Sequence, residues 1–274
     1  MNTHMKRMRI FITGGASGLG KAIATHYAKQ GYAVAIGDID PIALAQAQQQ
    51  LTQYTSDVLA IDCNITALED LESARAQIES AWGGLDILVN NAGIVGKVGL
   101  LDALAIEDWH QVLDINLLGV VRGIKAFASL FKQQGSGAIV NIASMAGITN
   151  SPTMGIYSTS KAGVIALTET LEYEMAAYGV SAHVVCPAFF ETNLTKSMNS
   201  SAKTKSFVEG AMAKSSIDAN DIAAMIAQQV EDGELYMMPH KRERRLWQLK
   251  RFFPKWYQRK CHKWYVKPVV KKPA

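Results

Sequence analysis

Apolar residues fall in runs of about five along this chain, and the runs alternate with stretches of helical periodicity. Arg9–Thr13 is the first run, followed by a tight turn over Gly14–Gly20. Lys21–Gln30 then places Ile23, Ala24, Tyr27 and Ala28 on one helical face and stops at Gly31. The same reasoning predicts strands at Ala33–Gly37, Val58–Asp62 and Leu85–Val89, with helices at Ile42–Tyr54 and Leu68–Trp82 between them. Beyond Asn90-Asn91-Ala92-Gly93 the rhythm continues: helix Asp108–Gln133, strand Ala138–Ile142, helix Tyr157–Tyr178, strand Ser181–Cys186. Helix Asp218–Glu231 and the strand-like Glu234–Met238 close it. The strands lack the period-two alternation of a half-exposed sheet. They therefore predict an α/β fold: a doubly wound parallel sheet buried on both faces. No Pro-, Gly- or Ser-rich linker divides the body, so one doubly wound domain is predicted over residues 8–240.

Charge separates the remaining chain from that body. From His240 onward there are 13 Lys/Arg and one acid, Glu243, a net +12; the rest carries 15 Lys/Arg against 23 Asp/Glu, a net −8. Residues 241–274 thus read as a basic, aromatic-rich extension. At about 100° per residue, Leu246, Leu249, Phe253, Trp256, Tyr257, Cys261 and Trp264 gather on one side, with Arg244, Arg251, Lys255 and Arg259 opposite. Pro254 is predicted to divide the extension into two helices. Such a surface suits a membrane interface, packing on the body or a partner subunit, or a wall of the substrate pocket; single-stranded nucleic acid is the weakest reading.

Composition narrows the setting. With 274 residues and 49% hydrophobic content the chain can bury a large core, yet it holds no run of about 20 apolar residues to span a bilayer. Met1–Arg9 lacks the apolar segment of a secretory signal. Cys63, Cys186 and Cys261 are widely spaced and form no CxxC pair. A cytoplasmic protein without disulfide framework or metal site is expected, peripheral to the inner membrane face if the extension reaches it.

Three features carry chemistry. Tyr157 and Lys161 stand four residues apart, on one helical face, where an ammonium favours the phenolate and draws the phenol toward neutrality. Ser144 lies thirteen positions upstream. The turn Thr13–Gly20, spaced Gly14-x3-Gly18-x-Gly20, lets backbone approach a pyrophosphate at a helix N-terminus. Asp38, at the end of the second strand, can accept from both adenosine ribose hydroxyls and repels a 2′-phosphate. No Lys or Arg stands within Gly14–Gly20. NAD(H) is therefore expected over NADP(H).

Together with Asn90–Gly93, Asn116 and Pro187–Thr192, these residues resemble the short-chain dehydrogenase/reductase family over about residues 9–195. The resemblance implies a catalytic set of Asn116, Ser144, Tyr157 and Lys161. Asn116 would kink the long helix and hold a water leading from Lys161 to solvent; Ser144 would polarise the substrate oxygen. The implied cofactor-facing set is Gly14, Ser17, Gly18, Leu19, Gly20, Asp38, Ile39, Asn64, Ile65, Asn91, Ala92, Gly93, Tyr157, Lys161, Pro187, Phe190 and Thr192. Two departures stand out. Asn64 replaces the family's Asp near adenine, where its carbonyl can still accept from the amino group. Ala188 follows Pro187 where Gly is usual, with a bulky Phe190 beyond it. Residues 193–216 are expected to form a lid with few apolar anchors. Ile94, Val95, Met154, Phe189 and Phe190 point to a lipophilic alcohol or carbonyl substrate. Acyl thioester or long-chain aldehyde reduction stays open, as does a silent nucleotide-binding scaffold. A homodimer or homotetramer is implied.

Overall fold

A computed structural model of the protein describes residues 7–269. Its centre is a seven-stranded, all-parallel sheet in the order β3-β2-β1-β4-β6-β7-β9. In chain order the elements are β1 Arg9–Thr13, α1 Gly18–Lys29, β2 Ala33–Asp38, α2 Pro41–Leu51, β3 Val58–Asp62, α3 Leu68–Trp82 and β4 Ile87–Asn90. Then come β5 Gly96–Lys97, α4 Ile106–Leu113, α5 Gly119–Gln134, β6 Gly137–Ile142, α6 Ala146–Thr149 and α7 Gly155–Ala176. The chain continues through β7 Val180–Val185, β8 Met198–Asn199, α8 Ala202–Met212, α9 Ala219–Asp232, β9 Tyr236–Met237, α10 Lys241–Phe252 and α11 Pro254–Val269.

Every residue of β1 is buried because alternate side chains enter two different cores. Ile10 and Ile12 pack with α1, α2 and α9, including Ile23, Leu44 and Ile226. Phe11 faces the opposite layer of α3, α5 and α7, where it meets Leu71, Phe127 and Leu171. This is the three-layer architecture that the apolar runs predict.

Local chemistry explains where the element ends depart from the sequence pattern. Leu85 has strand-like character, but its N–H donates to Gln134 Oε1 at 3.0 Å and its carbonyl accepts from Gln134 Nε2 at 2.6 Å, so β4 begins at Ile87. The predicted helix Asp108–Gln133 is not continuous: a π-helical turn over Asp114–Leu118 separates α4 from α5. α10 and α11 part at Phe253–Pro254, as proline dictates.

The extension's apolar residues do not keep one common side. Trp247 lies against Tyr236, ring centroids 5.6 Å apart, and Tyr257 is buried, whereas Phe253 and Trp256 are exposed. The break at Pro254 turns them outward. The Trp264 side chain lies outside the described residues.

Arg9 anchors the sheet's N-terminal edge. It is 3% exposed, its Nε and Nη2 each donate to Asp86 at 2.8 Å, and Nη1 donates to the Trp82 carbonyl. Removing one partner of such a pair strands a buried charge. Asp86→Ala is therefore predicted to lower unfolding free energy by about 3–5 kcal/mol in urea denaturation; a loss under about 1 kcal/mol would show the pair to be dispensable.

Candidate active site

The order of strands reverses between β1 and β4, and the loops that follow these two strands and β6 converge at the carboxyl edge of the sheet. Such a switch point is where open α/β sheets hold ligands. Asn91 ties the first two loops together: its side-chain amide donates to the carbonyls of Thr13 (2.9 Å) and Gly14 (3.1 Å). The Thr13 hydroxyl accepts from the N–H groups of Asn91 and Ala92. Asn91 thus shapes the glycine turn from behind.

The turn fits a dinucleotide phosphate. Gly14 has φ +63°, and a Cβ there would come within 2.9 Å of Ala92 Cα; one on Gly20 would lie 2.2 Å from the Gly14 carbonyl oxygen. A Cβ on Gly18 would instead project into open space, with Thr192 Cβ 4.0 Å away. Ser17 leaves the first turn of α1 without a side-chain cap, and no acid occupies that turn. Leu19 is buried beneath it. Free N–H groups, an open approach and the helix dipole favour an anion here.

At the end of β2, Asp38 Oδ2 accepts from Ala16 N–H at 3.2 Å and Oδ1 from Ile39 N–H at 2.9 Å, which fixes the carboxylate against the glycine turn. Ile39 is exposed and Ile65 buried. Asn64 Oδ1 accepts from both the N–H and the hydroxyl of Thr66, at 3.0 and 2.8 Å, so its carbonyl is already engaged within its own turn.

The catalytic candidates come together. Ser144 lies near enough to the Tyr157 phenol to act on its ionisation, and its hydroxyl donates toward the Pro187 carbonyl at 3.4 Å. Lys161 Nζ donates to the Ile142 carbonyl at 2.7 Å and lies 5.9 Å from the Tyr157 ring centre. A Cβ on Gly93 would sit 3.5 Å from Lys161 Nζ and 3.1 Å from Asn116 Oδ1. Asn116 itself is wholly buried inside the π turn, its Oδ1 accepting from Ile94 N–H and its Nδ2 donating to the Ile94 carbonyl, both at 2.8 Å. π turns inside α-helices recur at functional sites, and this one carries Asn116. Sequence reading missed Ser160: its buried hydroxyl accepts from Asn116 Nδ2 at 3.1 Å and donates to the Tyr157 carbonyl. Its place three residues beyond Tyr157 was the available signal.

Two expectations on the substrate side change. Phe190 is buried in the core that holds Leu19 and Ile222, and Phe189 is half exposed. The lid segment is anchored after all: β8 pairs with β5, and Val95, Met198 and Val208 form a small core with Met154, Leu194 and Met212 packed on it. Val95 and Met154 are therefore apolar positions tied to the lid. Thr192 caps its first turn through Leu194 N–H.

Electrostatics correct a third. The sequence predicts a phenol drawn toward neutrality, but burial pushes Tyr157 up to about 12, offset in part by Ser144. Burial likewise drives Lys161 down to about 8, and the nearby Cys186 works against that. At this separation the ammonium does not overcome desolvation of the phenol.

A family model described as short chain dehydrogenase matches residues 8–203. The chain is 31% identical over 227 residues to a Staphylococcus aureus protein named 3-oxoacyl-[acyl-carrier-protein] reductase FabG, covering 82% of this chain and 92% of that protein. It is 35% identical over 195 residues to 2-(R)-hydroxypropyl-CoM dehydrogenase of Xanthobacter autotrophicus, covering 70% and 78%. Among solved structures, a short chain dehydrogenase/reductase from Burkholderia phymatum in complex with NAD superposes with TM-score 0.84 at 27% identity, covering 90% of this chain and 93% of that one.

The depressed Lys161 gives a stability test. Its folded value, about 8, lies below the ordinary 10.5, so between those values the unfolded chain binds more protons and stability rises with pH. Below about pH 8 the charged, buried ammonium is a burden that Lys161→Met removes. That variant should exceed the natural protein in urea stability at about pH 7, with the difference shrinking by about pH 9.5. A difference that stays constant or widens would contradict the assignment.

Proposed function

Because the chain belongs to the short-chain dehydrogenase family, we propose that it is an NAD(H)-linked oxidoreductase interconverting an alcohol and a carbonyl on a lipophilic small molecule. The observation that carries this reading is a buried Lys161 whose Nζ is held by the Ile142 carbonyl at 2.7 Å, 5.9 Å from the centre of the Tyr157 ring, with Ser144 acting on the same phenol.

The residues would share the work as follows. Gly14–Gly20 and the N-terminus of α1 would hold the pyrophosphate, Asp38 the adenosine ribose, and Lys161 the nicotinamide ribose. The nicotinamide, when bound, gives or takes the hydride. Ser144 would donate to the substrate oxygen and so orient it, an interaction that strengthens as negative charge develops there. Tyr157 would exchange the proton with that oxygen. A phenol at about 12 is protonated at neutral pH, which equips it to give its proton to a carbonyl oxygen. The oxidative direction needs further positive charge to favour the phenolate. Asn116 would act through position: by gripping Ile94 and Ser160 it fixes the backbone beside Lys161.

A second reading is reduction of a 3-oxoacyl thioester, favoured by likeness to the S. aureus reductase over most of both chains. A silent scaffold is disfavoured, because an unused site has no need to keep an ammonium buried. We place the protein in the cytoplasm as a homodimer or homotetramer; exposed Leu118 and Val121 on the π turn and α5, and Tyr173 on α7, support self-association. Residues 241–274 are the proposed contact with a membrane face.

Tyr157→Phe should lower turnover of a hydrophobic alcohol or ketone by about 10²–10⁴-fold and leave NADH binding, read by fluorescence titration, nearly unchanged. Unaltered turnover would remove Tyr157 from the chemistry. Asp38→Ser should raise the ratio of NADPH to NADH affinity by about tenfold, since one carboxylate repulsion of roughly 1.4 kcal/mol is withdrawn; an unchanged ratio would assign cofactor choice to other residues.

A further inference from the structure

The residues beyond β9 are assigned no step in the proposed reaction, and they show two unlike surfaces. Their inner surface grips the loop behind the catalytic candidates. His240 Nδ1 accepts from Ala188 N–H at 3.3 Å, at the start of α10. Further on, Lys250 Nζ donates to the Ile148 carbonyl and the Tyr257 hydroxyl to the Thr149 carbonyl. Both acceptors lie in α6, which begins two residues after Ser144. Trp247 packs on Tyr236, and its outer side carries the Arg251 guanidinium, 5.5 Å from the ring.

The outer surface is different. Phe252 and Phe253 are 70% and 63% exposed and Trp256 is 48% exposed, side by side at the α10–α11 corner. Arg251, Lys255, Arg259 and Lys260 are exposed in the same stretch of chain, with Lys260 Nζ 5.0 Å from the centre of the Trp256 ring. No Asp or Glu occurs between Arg244 and Lys263. Adjacent exposed aromatics mark an interaction surface, and this one is ringed by a single sign of charge.

We propose that this corner is a docking surface for an anionic lipid bilayer, with the inner grip holding the Ser144 segment at the membrane face. The proposal rests on the membrane reading of residues 241–274 and is independent of the redox reading. Charge complementarity selects the occupant. Anionic headgroups neutralise the cations while aromatic rings settle at headgroup depth. A second copy would bring one extension of net +12 against another, which like-charge repulsion opposes. Single-stranded nucleic acid calls for a groove that tracks its backbone, whereas these rings stand at a corner.

Sedimentation of the full chain with vesicles tests it. Binding is expected to phosphatidylglycerol–phosphatidylcholine vesicles, to be weak on phosphatidylcholine alone, and to fall with added salt. Phe252→Ser/Phe253→Ser/Trp256→Ser should lose about tenfold or more of that binding while keeping its unfolding midpoint and NADH affinity. Arg251→Gln/Lys255→Gln/Arg259→Gln should show a comparable loss and a flatter salt dependence. Absence of binding by the natural chain, or equal binding by the aromatic variant, would overturn the proposal. So would a change of oligomeric state in the aromatic variant, or capture of a single-stranded oligonucleotide in place of vesicles; these would assign the corner to a second copy or to nucleic acid.

Discussion

A lysine that is 4% exposed, Lys161, organises this part of the fold. Burying a cation without a carboxylate partner is unfavourable unless strong acceptors and a fixed geometry offset it. Lys161 has the Ile142 carbonyl at 2.7 Å, at the very end of β6. Holding it there requires α7 to lie close behind the loop that carries Ser144. Gly147 permits this: a Cβ at that position would come within 2.6 Å of the Ala162 nitrogen, so α6 can press against α7 only with glycine. From the other side the π turn brings Asn116 onto Ser160, one residue before Lys161. Three elements therefore converge on one charge.

The same burial sets the state of Tyr157. Low-dielectric surroundings disfavour both the phenolate and the ammonium, so the two groups move toward neutrality in opposite senses, to about 12 and about 8. Ser144 opposes that shift of the phenol. Proximity of Tyr157 and Lys161 alone does not make a base; added positive charge in the cavity is what shifts the balance.

Much of this was legible in the chain. The central strand β1 is buried along its whole length and falls where its apolar run predicts; the edge strand β3 is only partly buried yet keeps its predicted bounds, and α3 matches its predicted span residue for residue. The spacing of Tyr157 and Lys161 and the glycines of the turn were equally plain, because helix geometry and steric exclusion act locally. What stayed hidden depends on partners distant in sequence. Gln134 takes Leu85 out of β4 from 49 residues away. The π turn conserves apolar periodicity well enough to pass as straight helix. The direction of the Tyr157 shift needs the depth of burial, and the outward turn of Phe253 and Trp256 needs the body on which Trp247 and Tyr257 have already packed.

The central claim is that desolvation holds the Tyr157 phenol high and that a bound cationic ring lowers it. Its most direct test is the tyrosinate absorbance near the alkaline end of a pH titration, taken as the difference between the natural protein and Tyr157→Phe. Without dinucleotide this difference should rise only above about pH 10, the ordinary phenol value. With saturating NAD+ it should move clearly lower. A transition already below the ordinary value without dinucleotide, or one that NAD+ leaves in place, would contradict the account.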